Sequence, residues 1–355
     1  MAEILGLGLS HYPPLCLPDA DMASLLSWTL QDTSIPEKER EPKNWPAAMR
    51  AEWAEDRGAE AAAAHRRALV AGFEGVRAAL DAFRPDAVVI WGDDQYENFK
   101  EDVIPPFAVL AYDDLDLHPW SDAQSSSMMK RKANVWGEDA SMHYRLRGRP
   151  DIARQLITGL LEQDIDVAYA YKPLHHASLA HAFTNAILYL DYHRKGYEHP
   201  TICFPLNCYG RRVVSAKGFV TRMDAKLEFD PPSPSPKRFM QVGAAAARVL
   251  KASPWRVALV ASSSWSHAFL CDPTFRLRPD TPADRKLYEA MCAGDYAAWR
   301  ATSLKAVENA GQQEVLNWFA LAGAMEEVGA RLEWSTFVET HIFNSNKVFA
   351  VYGTA

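Results

Sequence analysis

The sequence predicts a single α/β domain: a mixed central sheet with helices on both faces. Three observations lead to it. Short apolar runs alternate with longer segments of helical period along 355 residues. No shift of composition and no internal repeat marks a second domain. The chain closes on two apolar runs around a polar turn, the pattern of a hairpin that completes a sheet.

The elements follow in order. Glu3 to Leu9 is a first apolar strand. Ala59 to Phe83 places apolar residues at i, i+3 and i+4, and its Ala61 to Ala64 run has high helix propensity. Strands are expected at Asp86 to Trp91, Val167 to Tyr171, Thr201 to Phe204 and Arg256 to Ala261. Helices are expected at Asp151 to Glu162, Ala177 to Tyr192, Phe239 to Ala252, Pro282 to Met291 and Gln312 to Val328. The hairpin joins Leu332 to Val338 with Lys347 to Tyr352, turning near Asn344-Ser345-Asn346. Two stretches break this rhythm: the Pro-rich loop from Asp230 to Pro236, and a charged, Trp-containing segment at about 27–67. The second reads as a helical insertion, a lid or a partner contact.

A net charge of −7, with no block of basic residues, leaves no electrostatic footprint for nucleic acid or an anionic membrane, so the expected partner is a small molecule. Five cysteines, odd in number and without a CxxC pair, indicate neither a zinc knuckle nor a disulfide framework. No apolar stretch approaches the ~20 residues that span a bilayer, and the expected compartment is the cytoplasm.

In open α/β sheets ligands gather where strands give way to loops. His11 follows the first strand in Ser10-His11-Tyr12-Pro13, His175-His176 follow the strand ending near Tyr171, and His267 follows an apolar strand in Ser262-Ser263-Ser264-Trp265-Ser266-His267. Glu314 opens a helix four residues before Trp318. Each has an ordinary structural reading: a packed imidazole, a cap, or a carboxylate favoured by the helix N-terminus.

Their order along the chain resembles the class III extradiol ring-cleavage dioxygenases, the family of the protocatechuate 4,5-dioxygenase beta subunit. Pro85 to Phe99, followed by Val103-Ile104-Pro105-Pro106-Phe107, is similar to that family's strand and loop, in which a short apolar strand ends in Asp-His. Here the pair is Asp94-Gln95. Further similarity lies in Gly148-x-Pro150-Asp151, Pro205-x-Asn207, Pro231-Pro232-Ser233 and His341-Ile342-x-x-Ser345-Asn346.

The resemblance implies ferrous iron held by His11, Glu314 and the residue at position 95, with Asp94 as a substitute donor if Gln95 does not bind. It implies His176 and His267 as acid-base groups, and Tyr96, Ser345 and Asn346 as substrate contacts. The expected reaction is O2-dependent cleavage of a catecholic or aminophenolic ring, by a homo-oligomer or a chain paired with a related subunit. Mn(II) also suits an oxygen-rich ligand set. Gln95 keeps two other readings open: an oxygen-independent hydrolase or decarboxylase in the same pocket, and a non-catalytic paralogous subunit.

Overall fold

The computed structural model describes residues 2–120, 132–175, 178–212, 215–218 and 220–355. Strands β1 (Glu3–Leu9), β2 (Ala87–Asp93), β3 (Ala108–Leu110), β6 (Ala168–Ala170), β7 (Thr201–Leu206), β8 (Arg256–Ser262), β9 (Leu332–Val338) and β10 (Lys347–Tyr352) form one eight-stranded sheet. Its order is β6-β3-β7-β2-β8-β1-β10-β9. A separate ribbon pairs β4 (Leu115–Leu117) with β5 (Tyr144–Leu146).

The sheet is mixed. β7, β2, β8 and β1 run parallel, whereas β3 joins β7, and β10 joins both β1 and β9, antiparallel. The four parallel strands therefore end side by side, at Leu206, Asp93, Ser262 and Leu9, and the loops that follow emerge on one edge.

Alternation along the strands sorts their side chains onto two cores. Val89, Trp91, Val257 and Leu259 pack with the helices Pro150–Leu161, Pro236–Lys251 and Leu316–Val328. Val88, Ile90, Ala258 and Val260 pack with Ala59–Phe83 and His181–Leu190 on the other face. On β1, Gly6 and Gly8 admit the Leu316–Val328 helix. A Cβ at either position would sit 2.1 Å from Met325 or Trp318, so the helix that begins just after Glu314 lies directly on this strand.

The 27–67 segment folds as short helices Glu37–Arg40 and Ala47–Trp53 leading into Ala59–Phe83. Trp45 and Trp53 are buried with β1 and Phe343, and Trp28 is half exposed. The Glu52 carboxylate accepts from the amides of His341 (2.7 Å) and Ile342 (3.2 Å) and from the Thr340 hydroxyl (3.1 Å). The segment thus braces the turn between β9 and β10. The cysteines are free. Among the described residues no helix is long and apolar enough to cross a membrane.

Candidate functional site

The loops after β1, β2, β7 and β8 converge on one buried polar cluster. His11 follows β1, and its loop is pinned by Ser10, whose hydroxyl donates to Ser263 O (3.1 Å) and accepts from the Val348 amide (3.0 Å). His11 Nδ1 lies 3.0 Å from the Ser262 carbonyl, which fixes Nδ1 as the donor and turns Nε2 inward, 3.8 Å from Glu314 Oε2. Burial, then the neighbouring His181 and His267, hold the His11 pKa well below its ordinary value, so the ring is neutral.

Glu314 sits in a 3-10 turn, Gln313–Val315, immediately before the Leu316–Val328 helix. The Ser263 hydroxyl donates to its backbone carbonyl (2.7 Å), and the Trp318 indole donates to Ser263 O (3.1 Å), so the β8 loop and this turn are locked together. Glu314 Oε1 accepts from the Tyr209 hydroxyl and from Gln95 Nε2 (3.3 Å), and lies 3.3 Å from His267 Nε2. Its Oε2 is buried without a hydrogen-bond partner.

Gln95 reaches the same point: its Nε2, with two hydrogens to donate, lies within hydrogen-bond distance of Tyr209 Oη (2.7 Å), Asp93 Oδ2 (3.2 Å) and Glu314 Oε1 (3.3 Å). Asp93, not Asp94, is the inward carboxylate of the pair. It extends β2 beyond the expected end at Trp91 and is fully buried, with Oδ1 unpartnered. Burial raises the Asp93 pKa to about 6 and carries Glu314 well above the ordinary range. The Asp94 carboxylate turns away to accept from the amides of Glu97 (3.0 Å), Asn98 (2.7 Å) and Phe99 (3.4 Å).

The cluster contains one imidazole that the sequence analysis missed. His181 opens the His181–Leu190 helix, four residues later than the expected start at Ala177. Asn98 accepts from the Ala180 amide (2.7 Å) and donates to Ser178 O (3.0 Å), clamping this helix start onto the β2 loop. Glu97 accepts from the His181 amide (2.7 Å) and pairs with His181 Nδ1 (2.5 Å). His181 Nε2 faces the cluster, 3.4 Å from Gln95 Nε2, and its ring meets that of His11 edge-on at 5.1 Å. Burial alone would depress the His181 pKa, but Glu97, Asp93 and Glu314 outweigh it and raise it to about 10.

The remaining predicted residues lie at varying distances from this point. His267 is buried, its Nδ1 unpartnered, and burial followed by the charge on Lys347 lowers its pKa to about 3. Ser345 pairs with His267 through a backbone bridge and has a buried, unpartnered hydroxyl. Asn346 donates instead to Thr281 (3.1 Å) and Asp284 (2.8 Å), in a neighbouring network. Tyr96 lines a separate small pocket with Asp94, Phe99 and Leu206. His176 lies outside the described residues. Lys347 is fully buried, donating to Phe343 O (2.7 Å) beneath the Tyr12 ring. A cavity of about 210 Å³ shares Tyr209 with the cluster and is walled also by Gln313, Arg211, Arg212 and Phe229.

Ligand atoms of His11, Asp93 and His181 lie within 4.8 Å of one another. Two buried carboxylates with unpartnered oxygens beside two imidazoles are a costly arrangement unless a cation satisfies them. Nitrogen and carboxylate donors of this kind suit Fe(II) or Mn(II).

Comparison with known proteins finds no matching family model and no matching curated protein. Among solved structures the chain is similar to an uncharacterized protein, JW3007, of Escherichia coli K12. That match has a TM-score of 0.46 and 12% identity, and covers 80% of this chain and 92% of that one.

Proposed function

We propose that this protein is a non-haem, Fe(II)-dependent extradiol-type dioxygenase acting on a small catecholic or aminophenolic ring. The observation that carries the reading is the convergence of His11, Gln95, Glu314 and His267, from four separate segments, on one buried point at the carboxyl ends of parallel strands. The metal, when bound, would supply a centre that a catechol can chelate and through which O2 is activated.

The chain's own residues account for the rest. The substrate enters through the cavity beside Tyr209 and Gln313. His267 takes the proton of a substrate hydroxyl at Nε2, the ring nitrogen that faces the cluster 3.3 Å from Glu314 Oε1, and later returns it. The buried Ser345 hydroxyl, next to His267, donates to a substrate oxygen. Tyr209 and Gln95 hold Glu314 in a single orientation. The surrounding apolar core excludes water from the reacting ring.

Anaerobically purified protein loaded with Fe(II) is tested against catechols and aminophenols by O2 uptake. Stoichiometric uptake with a ring-opened product is expected, and His267→Ala should lower kcat by ~10²- to 10⁴-fold. Absence of uptake with every ring, or turnover without oxygen, overturns the proposal.

A further inference from the structure

The resemblance places an imidazole at position 95, and this chain has an amide there. An amide oxygen is a weak donor, yet the amide group here is engaged in another way. Gln95 Nε2 has acceptors on three sides: Tyr209 Oη at 2.7 Å, Asp93 Oδ2 at 3.2 Å and Glu314 Oε1 at 3.3 Å. The side chain sits between the two carboxylates, with two hydrogens to share between Tyr209 Oη and one or other of them, which is a positioning role.

We infer that His181 supplies the second imidazole of the metal centre, facing His11, with Asp93 and Glu314 as its carboxylate donors and Gln95 as a brace between them. The inference rests on the metal-dependent reading above and assigns that centre's ligands. Three independent features converge on it. The ligand atoms of His11, His181 and Asp93 fall within 4.8 Å of one another, and Glu314 Oε2 is 3.8 Å from His11 Nε2. Asp93 Oδ1 and Glu314 Oε2 are buried without hydrogen-bond partners, so a divalent cation would satisfy oxygens that the protein leaves unmatched.

Both rings are also oriented for ligation from behind. His11 Nδ1 meets a backbone carbonyl and His181 Nδ1 meets the Glu97 carboxylate, leaving each Nε2 directed inward. A carboxylate behind a ligating histidine fixes the tautomer and raises the basicity of the coordinating nitrogen. Glu97 itself is held by geometry, since the same carboxylate binds the His181 amide and Asn98 clamps the preceding residues. The helix start at residue 181 thus replaces the β2 loop as the source of an imidazole.

The test uses the full chain reconstituted anaerobically with Mn(II). Bound metal per chain is measured after desalting, and pulsed EPR counts the coordinated imidazole nitrogens, for wild type, His181→Ala, Gln95→Ala and His267→Ala. Circular dichroism checks folding, and His181→Gln is read in place of His181→Ala if the latter does not fold. One metal with two imidazoles is expected in wild type, Gln95→Ala and His267→Ala. His181→Ala should bind at least roughly 100-fold more weakly, since loss of a partner behind a ligand alone gives about 10- to 100-fold, and should retain one imidazole.

Two imidazoles persisting without His181, or no metal bound by the wild type, overturns the inference. The dioxygenase reading fails separately. Metal binding that needs His181, without O2 uptake on any ring, leaves the ligand assignment standing and ends the reaction proposal; O2 uptake that survives His181→Ala does the converse.

Discussion

Asp284 and Glu314 are both buried carboxylates close to the loop that carries His267, yet their oxygens are treated in opposite ways. Asp284 accepts from the Ser266 amide (3.0 Å to each oxygen), from Gln312 (2.7 Å) and from Asn346 (2.8 Å). Glu314 accepts only at Oε1, and its Oε2 faces His11 without a donor. A saturated carboxylate in a closed network specifies the fold, because every donor around it would be orphaned by its loss. A carboxylate left partly unmatched among imidazoles raises the energy of the empty site and gives a ligand something to stabilise. The same residue chemistry serves as scaffold in one place and, in the proposed reading, as site in the other.

The contrast is broken or sharpened by a ranked set of experiments. The largest expected effect comes from exchanging the two losses. Asp284→Ala should reduce unfolding free energy by about 3 kcal/mol, since three donor groups lose their acceptor at roughly 1 kcal/mol or more each. Glu314→Ala should leave the denaturation midpoint unchanged or raised while abolishing metal retention. Denaturant titrations and metal content on both variants would dissolve the distinction if the two behaved alike.

A pH effect follows. Burial, acting against its donors, raises the Asp284 pKa to about 7. An unfolded aspartate ionises near pH ~3.9. Between those values the folded state keeps a proton that the unfolded chain has lost, so the contribution of this residue to stability falls as pH rises through the window. Thermal midpoints of Asp284→Asn should show a shallower fall between pH ~4 and ~7 than those of wild type.

Smaller again, Glu97→Gln should weaken metal binding by about 10- to 100-fold, because it removes the partner behind His181 and not a ligand. Competition with a chelator of known affinity measures it. The smallest effect is Asn346→Ala, expected to lower stability by about 1–2 kcal/mol with KM unchanged. A rise in KM at unchanged stability would return Asn346 to the substrate-contact role that the resemblance implied.

Much of this architecture is legible in the sequence, for physical reasons that also explain the gaps. The Ala59–Phe83 helix matches its expected bounds because it is long and periodic, and because Gly58 precedes it and Pro85 follows its C-cap Arg84. β3 escapes notice because three residues after a Pro-Pro pair carry too little alternation. His11, Gln95, Glu314 and His267 are visible as polar residues at strand ends or helix starts. His181 is hidden by a boundary: a helix begun at Ala177 places it a turn inside an apolar segment, where an imidazole reads as packing. A histidine opening an otherwise buried helix was the available signal. Asp93 is missed by one residue, since a strand that stops at Trp91 leaves the direction of the following side chains undetermined, and two more residues of strand reverse which aspartate points inward. Tyr209 had no sequence signal beyond its place after Pro205-x-Asn207.

The pairing of β1 has a consequence for the life of the chain during synthesis. Its neighbours are β8, with Glu3 opposite Arg256, and β10, with Leu7 opposite Val351. β1 therefore stays without a sheet partner until β8, at Arg256–Ser262, has been made, an interval on the order of ten seconds to a minute at ordinary translation rates. During that time a six-residue apolar run, Ile4 to Leu9, has no partner of its own and is open to association with other chains. The histidine that follows it waits equally long for Ser262 and Glu314. Products stalled before β8 would carry an unpaired β1 and no polar cluster, so the arrival of β8, Glu314 and β10 is the event that removes the aggregation hazard and assembles the cluster.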